Sequence, residues 1–226
     1  MKKLVLSKGI LTAIFLSISL FFYAQINEGA ITYTMTIDGL PPEQAAMMEG
    51  MQSKTIFKNG KSRSEMSSAF MNSVTVSDEK GNYTVLMDGM GQKSYVKGSA
   101  EDKKKSKNEK KSTSEPEQKI TYTEETKSIA GFDCKKAIVE TENAKGESSK
   151  GFVWYTDKIK PIETGGRRGT QFKGLRGVPM EFEMKQGPMK IKVSAVKFSG
   201  DKVSDSVFEV STDGYTEMDP NSMPGM

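Results

Sequence analysis

Ile31, Tyr33, Met35 and Ile37 alternate with Thr32, Thr34, Thr36 and Asp38. A period of two puts apolar side chains on one face of a strand and polar ones on the other. Such a strand belongs to an antiparallel sheet with one wet side. The pattern returns late in the chain, where Met180, Phe182 and Met184 alternate with Glu181, Glu183 and Lys185. Met189, Ile191, Val193 and Ala195 then alternate with Lys190, Lys192 and Ser194. Between these ends the chain is punctuated by turns. Thr55-Ile56-Phe57 leads into Asn59-Gly60, the strongest short-range hairpin signal available. Val74 and Val76 mark a strand, Glu79 to Asn82 a turn, and Tyr83, Val85 and Met87 another strand. Asp88-Gly89-Met90-Gly91 turns the chain again, and Lys93 to Lys97 pairs back. Ile120 and Tyr122 open a second set that runs through Cys134–Glu140 and Gly151–Thr156, joined by a turn around Lys145-Gly146. Phe152-Val153-Trp154-Tyr155 is apolar in both phases, which predicts a central strand covered on both sides. Short strands at this spacing form a meander.

Leu40 to Met51 interrupts the pattern. Pro41 and Pro42 suit a helix start and Gly50 a stop. Leu40, Met47, Met48 and Met51 would share one side of that helix. With so few helical residues available, a sheet that must bury one face closes on itself. The expected fold is mainly β, an antiparallel open half-barrel with one or two short helices, and 40–51 is expected to cover its open side as a lid.

Lys2, Lys3 and Lys8 precede an apolar run from Ile10 to Tyr23, which reads as a signal peptide ending at Ala24. The run is short for a membrane span. Residues 25–218 are expected to form one domain, with 219–226 as a flexible tail and a periplasmic or secreted location. Residues 99–118 hold Lys, Ser, Glu, Asn and Pro with no apolar residue beyond Ala100, the composition of a solvated insert. Removing 1–24 leaves 30 basic side chains against 29 acidic ones. A nucleic-acid partner calls for a large basic excess, so none is expected.

The chain has no His and one Cys, Cys134. His-based triads, His metal sites and an intramolecular disulfide are therefore excluded, and Cys134 reads as a small core residue. Glu181 and Glu183 are paired carboxylates that alternation places toward solvent, outside acid–base work. Gly165-Gly166-Arg167-Arg168-Gly169 lacks the Lys-Ser/Thr ending of a phosphate loop. These features predict no enzyme and no cofactor. Arg167, Arg168 and Arg176 are instead candidates for an anionic headgroup or membrane surface at the rim, since Arg binds phosphate bidentately.

Four segments carry a family resemblance. They are Gly131-Phe132-Asp133-Cys134-Lys135-Lys136-Ala137, Val153-Trp154-Tyr155-Thr156, Gly174-Leu175-Arg176-Gly177-Val178-Pro179-Met180-Glu181, and Ser206-Val207-Phe208-Glu209-Val210 through Gly214-Tyr215-Thr216-Glu217-Met218. In order and spacing they resemble an exported bacterial family of unknown function related to the GLPGLI proteins, which carry Pro where this chain has Arg176. The resemblance implies distant kinship with LolA-like half-barrels, which bind lipid or lipoprotein acyl chains beneath short helices.

The expected function is a non-catalytic binding protein for an apolar ligand, a lipid or lipoprotein acyl chain, held by Met47, Met48, Met51 and Trp154. Met side chains suit adaptable apolar surfaces. Two alternatives stand beside it. One is a structural envelope protein without a small ligand. The other is Cu(I) held by thioethers of Met47, Met48 and Met51 or of Met218, Met223 and Met226.

Overall fold

The computed structural model describes residues 25–41, 43, 50–99, 117–142, 148–162, 172, 174–186 and 189–219. Its strands are β1 (Glu28–Asp38), β2 (Gln52–Lys58), β3 (Lys61–Ser67), β4 (Met71–Ser77), β5 (Tyr83–Gly89) and β6 (Gln92–Gly98). They continue with β7 (Glu117–Ile129), β8 (Phe132–Glu142), β9 (Ser148–Thr156), β10 (Val178–Gln186), β11 (Met189–Ser199) and β12 (Thr216–Glu217). All belong to one 12-stranded sheet in the order β12-β6-β5-β4-β3-β2-β1-β11-β10-β9-β8-β7. Each neighbouring pair is antiparallel except β12, which lies parallel to β6.

Two meanders, β2–β6 and β7–β11, thus flank β1. The strand with the clearest alternation is the joint between them, and β11 returns from late in the chain to pair with it from Ala30 to Asp38. Asn59-Gly60 closes the β2–β3 hairpin with φ of 49° and 87°, the left-handed pair that a two-residue turn requires.

The sheet curls. β11 lies between β1 and β10, yet the Tyr33 hydroxyl of β1 donates to the Pro179 carbonyl of β10 at 3.0 Å. β9 and β10 lie between β8 and β11, yet Phe132 meets Phe198 edge-on with ring centres 4.9 Å apart. Register shifts at Thr32/Tyr33 and Pro179/Glu181 supply the bends. The result is the expected open half-barrel, with β7 and β12 as its edges.

Apolar side chains fill the β7–β11 half. One cluster gathers Ile31, Phe57, Ile129, Phe132, Cys134, Ile159, Val178, Met180 and Ala195. A second gathers Ala137, Val139, Val153, Tyr155 and Leu175, with Tyr122, Phe172 and Phe182 packed against it. Phe172 meets Phe182 and Tyr122 meets Tyr155 edge-on, at 4.9 and 5.5 Å.

Over the β2–β6 half the chain end acts as a strap. Arg63 donates to the Val207 carbonyl at 3.1 Å, and Lys58 to the Val203 carbonyl at 2.9 Å. A 3-10 helix, Asp205–Phe208, crosses there before β12 docks beside β6.

Some expectations need correction or fall elsewhere. The segment expected to be a solvated insert ends earlier than 118, because Glu117 and Gln118 already pair in β7 with Glu142 and Thr141. Most of the expected 40–51 helix, including Met47 and Met48, lies outside the described residues, although Glu43 is helical. Arg167, Arg168, Met223 and Met226 also lie outside them.

Candidate functional site

Strand register defines the concave face, the one that carries Tyr33, as three transverse rows. The first runs Tyr33, Ser53, Met66, Ser73, Met87, Ser94. The second runs Ile31, Thr55, Ser64, Thr75, Val85, Val96. The third runs Gly29, Phe57, Ser62, Ser77, Tyr83, Gly98. Paired residues of an antiparallel ladder point the same way, so β3 and β4 offer a floor of Ser and Thr with Met66 as the one long side chain. Val85 and Val96 are buried beyond that floor, and Ile31 and Phe57 before it. Met51 is buried at the start of β2, and its carbonyl accepts from the Met35 N–H at 3.3 Å.

Trp154 is brought to a different place. It is half-buried on β9, directly opposite Lys136 of β8 and Glu181 of β10. The ammonium groups of Lys127 and Lys136 lie 5.8 and 5.7 Å from its ring centre. Lys127 also contacts Glu181 at 2.8 Å, Ser194 donates to the other Glu181 oxygen at 3.0 Å, and Lys192 lies at 3.8 Å. Lys136 reaches Glu125 at 3.0 Å.

The placement of Glu181 toward solvent is therefore wrong. Its side chain is only 10% exposed. Burial pushes its carboxyl up, but the hydrogen bonds from Lys127 and Ser194 and the charges of Lys127 and Lys192 outweigh burial and hold it below the ordinary range. Alternation gave the phase correctly; the covering partners come from β7, β9 and β11, distant in sequence. Glu183 is more open and pairs with Lys190 at 3.0 Å.

Arg176 is exposed but occupied. Its guanidinium stacks on Tyr122 at 4.8 Å, and its backbone N–H donates to the Tyr122 hydroxyl at 3.1 Å. That hydroxyl donates to the Gly174 carbonyl at 3.2 Å. The Gly174–Pro179 signature thus has a packing explanation. Gly174 takes a φ of 86°, Leu175 turns into the second cluster, and a Cβ on Gly177 would collide with the Thr156 carbonyl. The signature fastens a loop to the sheet.

Cys134 is fully buried, and burial pushes its thiol up to about 11. It is an inert core residue at ordinary pH. Tyr33 is likewise held above its ordinary value, chiefly by burial.

One further cleft, of about 480 Å³, is lined by Thr32, Gln52, Lys54, Glu65, Lys197 and Asp201 among others. Its side chains are mostly polar and, apart from Ser53 of the first row, lie outside the rows described above. Met218, a candidate thioether ligand, is half-buried, with its N–H on the Tyr95 carbonyl at 2.9 Å. Among the described residues no helix is long and apolar enough to cross a membrane.

No protein-family model matches the chain, and no curated protein does. Among solved structures it is similar to LprF from Mycobacterium bovis, with 8% identity and a TM-score of 0.34 over 78% of this chain and 88% of that one. It is also similar to a beta-barrel-like protein of domain of unknown function DUF1849 from Brucella abortus, with 8% identity and a TM-score of 0.32 over 77% and 98%. Scores this low carry no inference about a ligand.

Proposed function

We propose that the chain is an exported, non-catalytic binding protein that takes an apolar chain, a lipid or lipoprotein acyl group, on the concave face of β1–β6. The supporting observation is the low floor of Ser64, Ser73 and Thr75 on β3 and β4, between Ile31 and Phe57 on one side and Val85 and Val96 on the other. Ser62 and Ser77 are covered, whereas Ser64, Ser73 and Thr75 are partly exposed, and side chains this small take up little of the height a hydrocarbon would need. Met66 and Met87 border the floor and adapt their shape to an occupant. The contribution of Met47, Met48 and Met51 as a lid, and of Arg167, Arg168 and Arg176 toward an anionic headgroup or membrane surface, belongs to the same proposal. So does kinship with the GLPGLI-related family, which rests on the four segments quoted above. Cys134, Leu175, Gly177 and Val178 all serve packing, which is consistent with a shared scaffold.

Titration with a fluorescent fatty acid tests the reading. Saturable binding that weakens when Met66 and Met87 become Ser, with the β-sheet signal unchanged, is the expected result. Absence of saturable binding by the wild-type chain overturns it and leaves the structural envelope role.

A further inference from the structure

We infer that the paired tips of the β3–β4 and β5–β6 hairpins insert into the boundary between headgroups and hydrocarbon of a lipid bilayer. The β3–β4 loop presents Phe70 and Met71, which are 50% and 46% exposed, and the β5–β6 turn presents Met90, which is 92% exposed. Among the described residues, three of the four large apolar side chains most open to water thus meet at one end of the sheet. They form one body. Met71 pairs with Gly89 in the ladder, and a Cβ on Gly89 would lie 2.8 Å from the Phe70 carbonyl.

The β3–β4 tip is held in shape without an occupant. The Ser68 hydroxyl accepts from the N–H groups of Phe70 and Met71 at 3.4 and 3.1 Å and donates to the Met71 carbonyl at 3.1 Å. Phe70 is thereby turned outward by local hydrogen bonds rather than packed inward.

Met90 carries the second argument. It stands at the first position of a two-residue turn with φ of 53°, followed by Gly91 at 76°. The β2–β3 hairpin of the same sheet makes the corresponding turn with Asn59 at 49° and Gly60 at 87°. Asn tolerates the left-handed region, whereas an unbranched apolar side chain there is strained. The chain thus places a disfavoured residue at the most water-exposed large apolar position among the described residues, although it uses the favoured one two strands away.

The occupant follows from size and charge. Three side chains on narrow tips fall well short of the roughly 800 Å² per partner of a stable protein interface. Apolar side chains on a projecting tip match the interfacial layer, which accepts shallow insertion of Phe and Met. At the base of the turn, Lys93 and Asp88 are 3.4 Å apart and offset each other. Insertion through these tips is therefore insensitive to lipid charge, unlike an Arg-based contact. It needs no ligand on the concave face and stands apart from the acyl-binding reading.

The test is co-sedimentation of the chain from Gln25, which retains every described residue, with phosphatidylcholine vesicles at low and high salt. Salt-insensitive binding is expected. Met90→Asn should weaken it by about tenfold, and with Phe70→Ser by about a hundredfold, from the loss of apolar transfer. Met90→Asn should at the same time raise the melting temperature, because Asn suits the turn. Equal partition of variant and wild type, no partition of wild type, or partition that disappears at high salt each overturns the inference. So does a self-association seen in sedimentation equilibrium that Met90→Asn abolishes without any vesicle binding.

Discussion

The two halves of the sheet share strand length, antiparallel pairing and tight turns, but they are filled differently. In β7–β11 the side chains that meet are Phe132, Phe198, Tyr155, Phe182 and Met180, and they close against one another. In β3 and β4 the concave rows hold Ser62, Ser64, Ser73, Thr75 and Ser77 with Met66 alone among them. Volume decides the difference: aromatic and long aliphatic side chains complete a core, while hydroxyl side chains leave a floor. One half therefore supplies stability, and the proposal places an acyl chain over the partly exposed Ser64, Ser73 and Thr75 of the other. The division predicts that substitutions in the filled half change folding, and that substitutions in the low half change binding.

The largest effect is expected from Met180→Ala. Met180 is fully buried between the clustered residues of β1, β8 and β11. Truncating a buried Met typically costs about 2–5 kcal/mol. Urea denaturation measures it, and a near-native midpoint would break the claim that this half carries the stability. Gly177→Ala follows at about 1–3 kcal/mol, because the added methyl meets the Thr156 carbonyl and the Gly174–Pro179 loop must shift. The same measurement should show it more harmful than Gly131→Ala, since nothing lies near a Cβ at Gly131 and only its φ of 86° resists substitution.

Glu181→Gln comes next, at about 1–2 kcal/mol at neutral pH, from the loss of charge-assisted hydrogen bonds. Its pH dependence has a definite sign. The folded carboxyl sits below its ordinary value of 4.5, so the unfolded chain binds the proton more readily. The stabilisation is present above that value and is lost as pH falls through the lower, folded one. The gap in melting temperature between wild type and Glu181→Gln should be widest at pH 7 and narrow through the acid range below 4.5. A gap that does not depend on pH would mean that geometry rather than charge matters at Glu181. Trp154→Ala should cost less than truncating a fully buried aromatic, because Trp154 is half-buried and solvent reaches the Lys127–Lys136 side.

The sequence pattern was most informative where the cause is local. Alternation over Ile31–Ile37, the Asn59-Gly60 turn and the Glu79–Asn82 turn each depend on neighbouring residues, and each appears as expected. The pairing of β1 with β11 was not legible, because it joins residues about 160 positions apart, as Tyr33 and Ala195 are. Burial of Glu181 was missed for the same reason: Lys127, Trp154 and Ser194 reach it from three other strands. The concave rows were likewise hidden. Ser64, Ser73 and Thr75 look like ordinary polar strand residues until register puts them side by side on the face that carries Tyr33.

The smallest stability effect, and the most telling one for the comparison, is expected from making the low half resemble the filled one. Ser73 lies between Met66 and Met87 in the first concave row. Ser73→Leu adds apolar volume where the floor is low, without removing a core contact. A substitution at such a site should change stability by less than about 1 kcal/mol in either direction. Fatty-acid affinity should nevertheless fall by about tenfold, because the new side chain occupies the height an acyl chain needs. Val153→Ala offers the converse, since Val153 is fully buried in the filled half. It should lower stability by about 2 kcal/mol and leave probe affinity unchanged at temperatures where the chain is folded. If Ser73→Leu destabilises the chain as much as Val153→Ala does, the floor is already packed and the two halves are one core. If it stabilises the chain and leaves affinity intact, the space above Ser73 is a packing defect, and the acyl group must bind elsewhere.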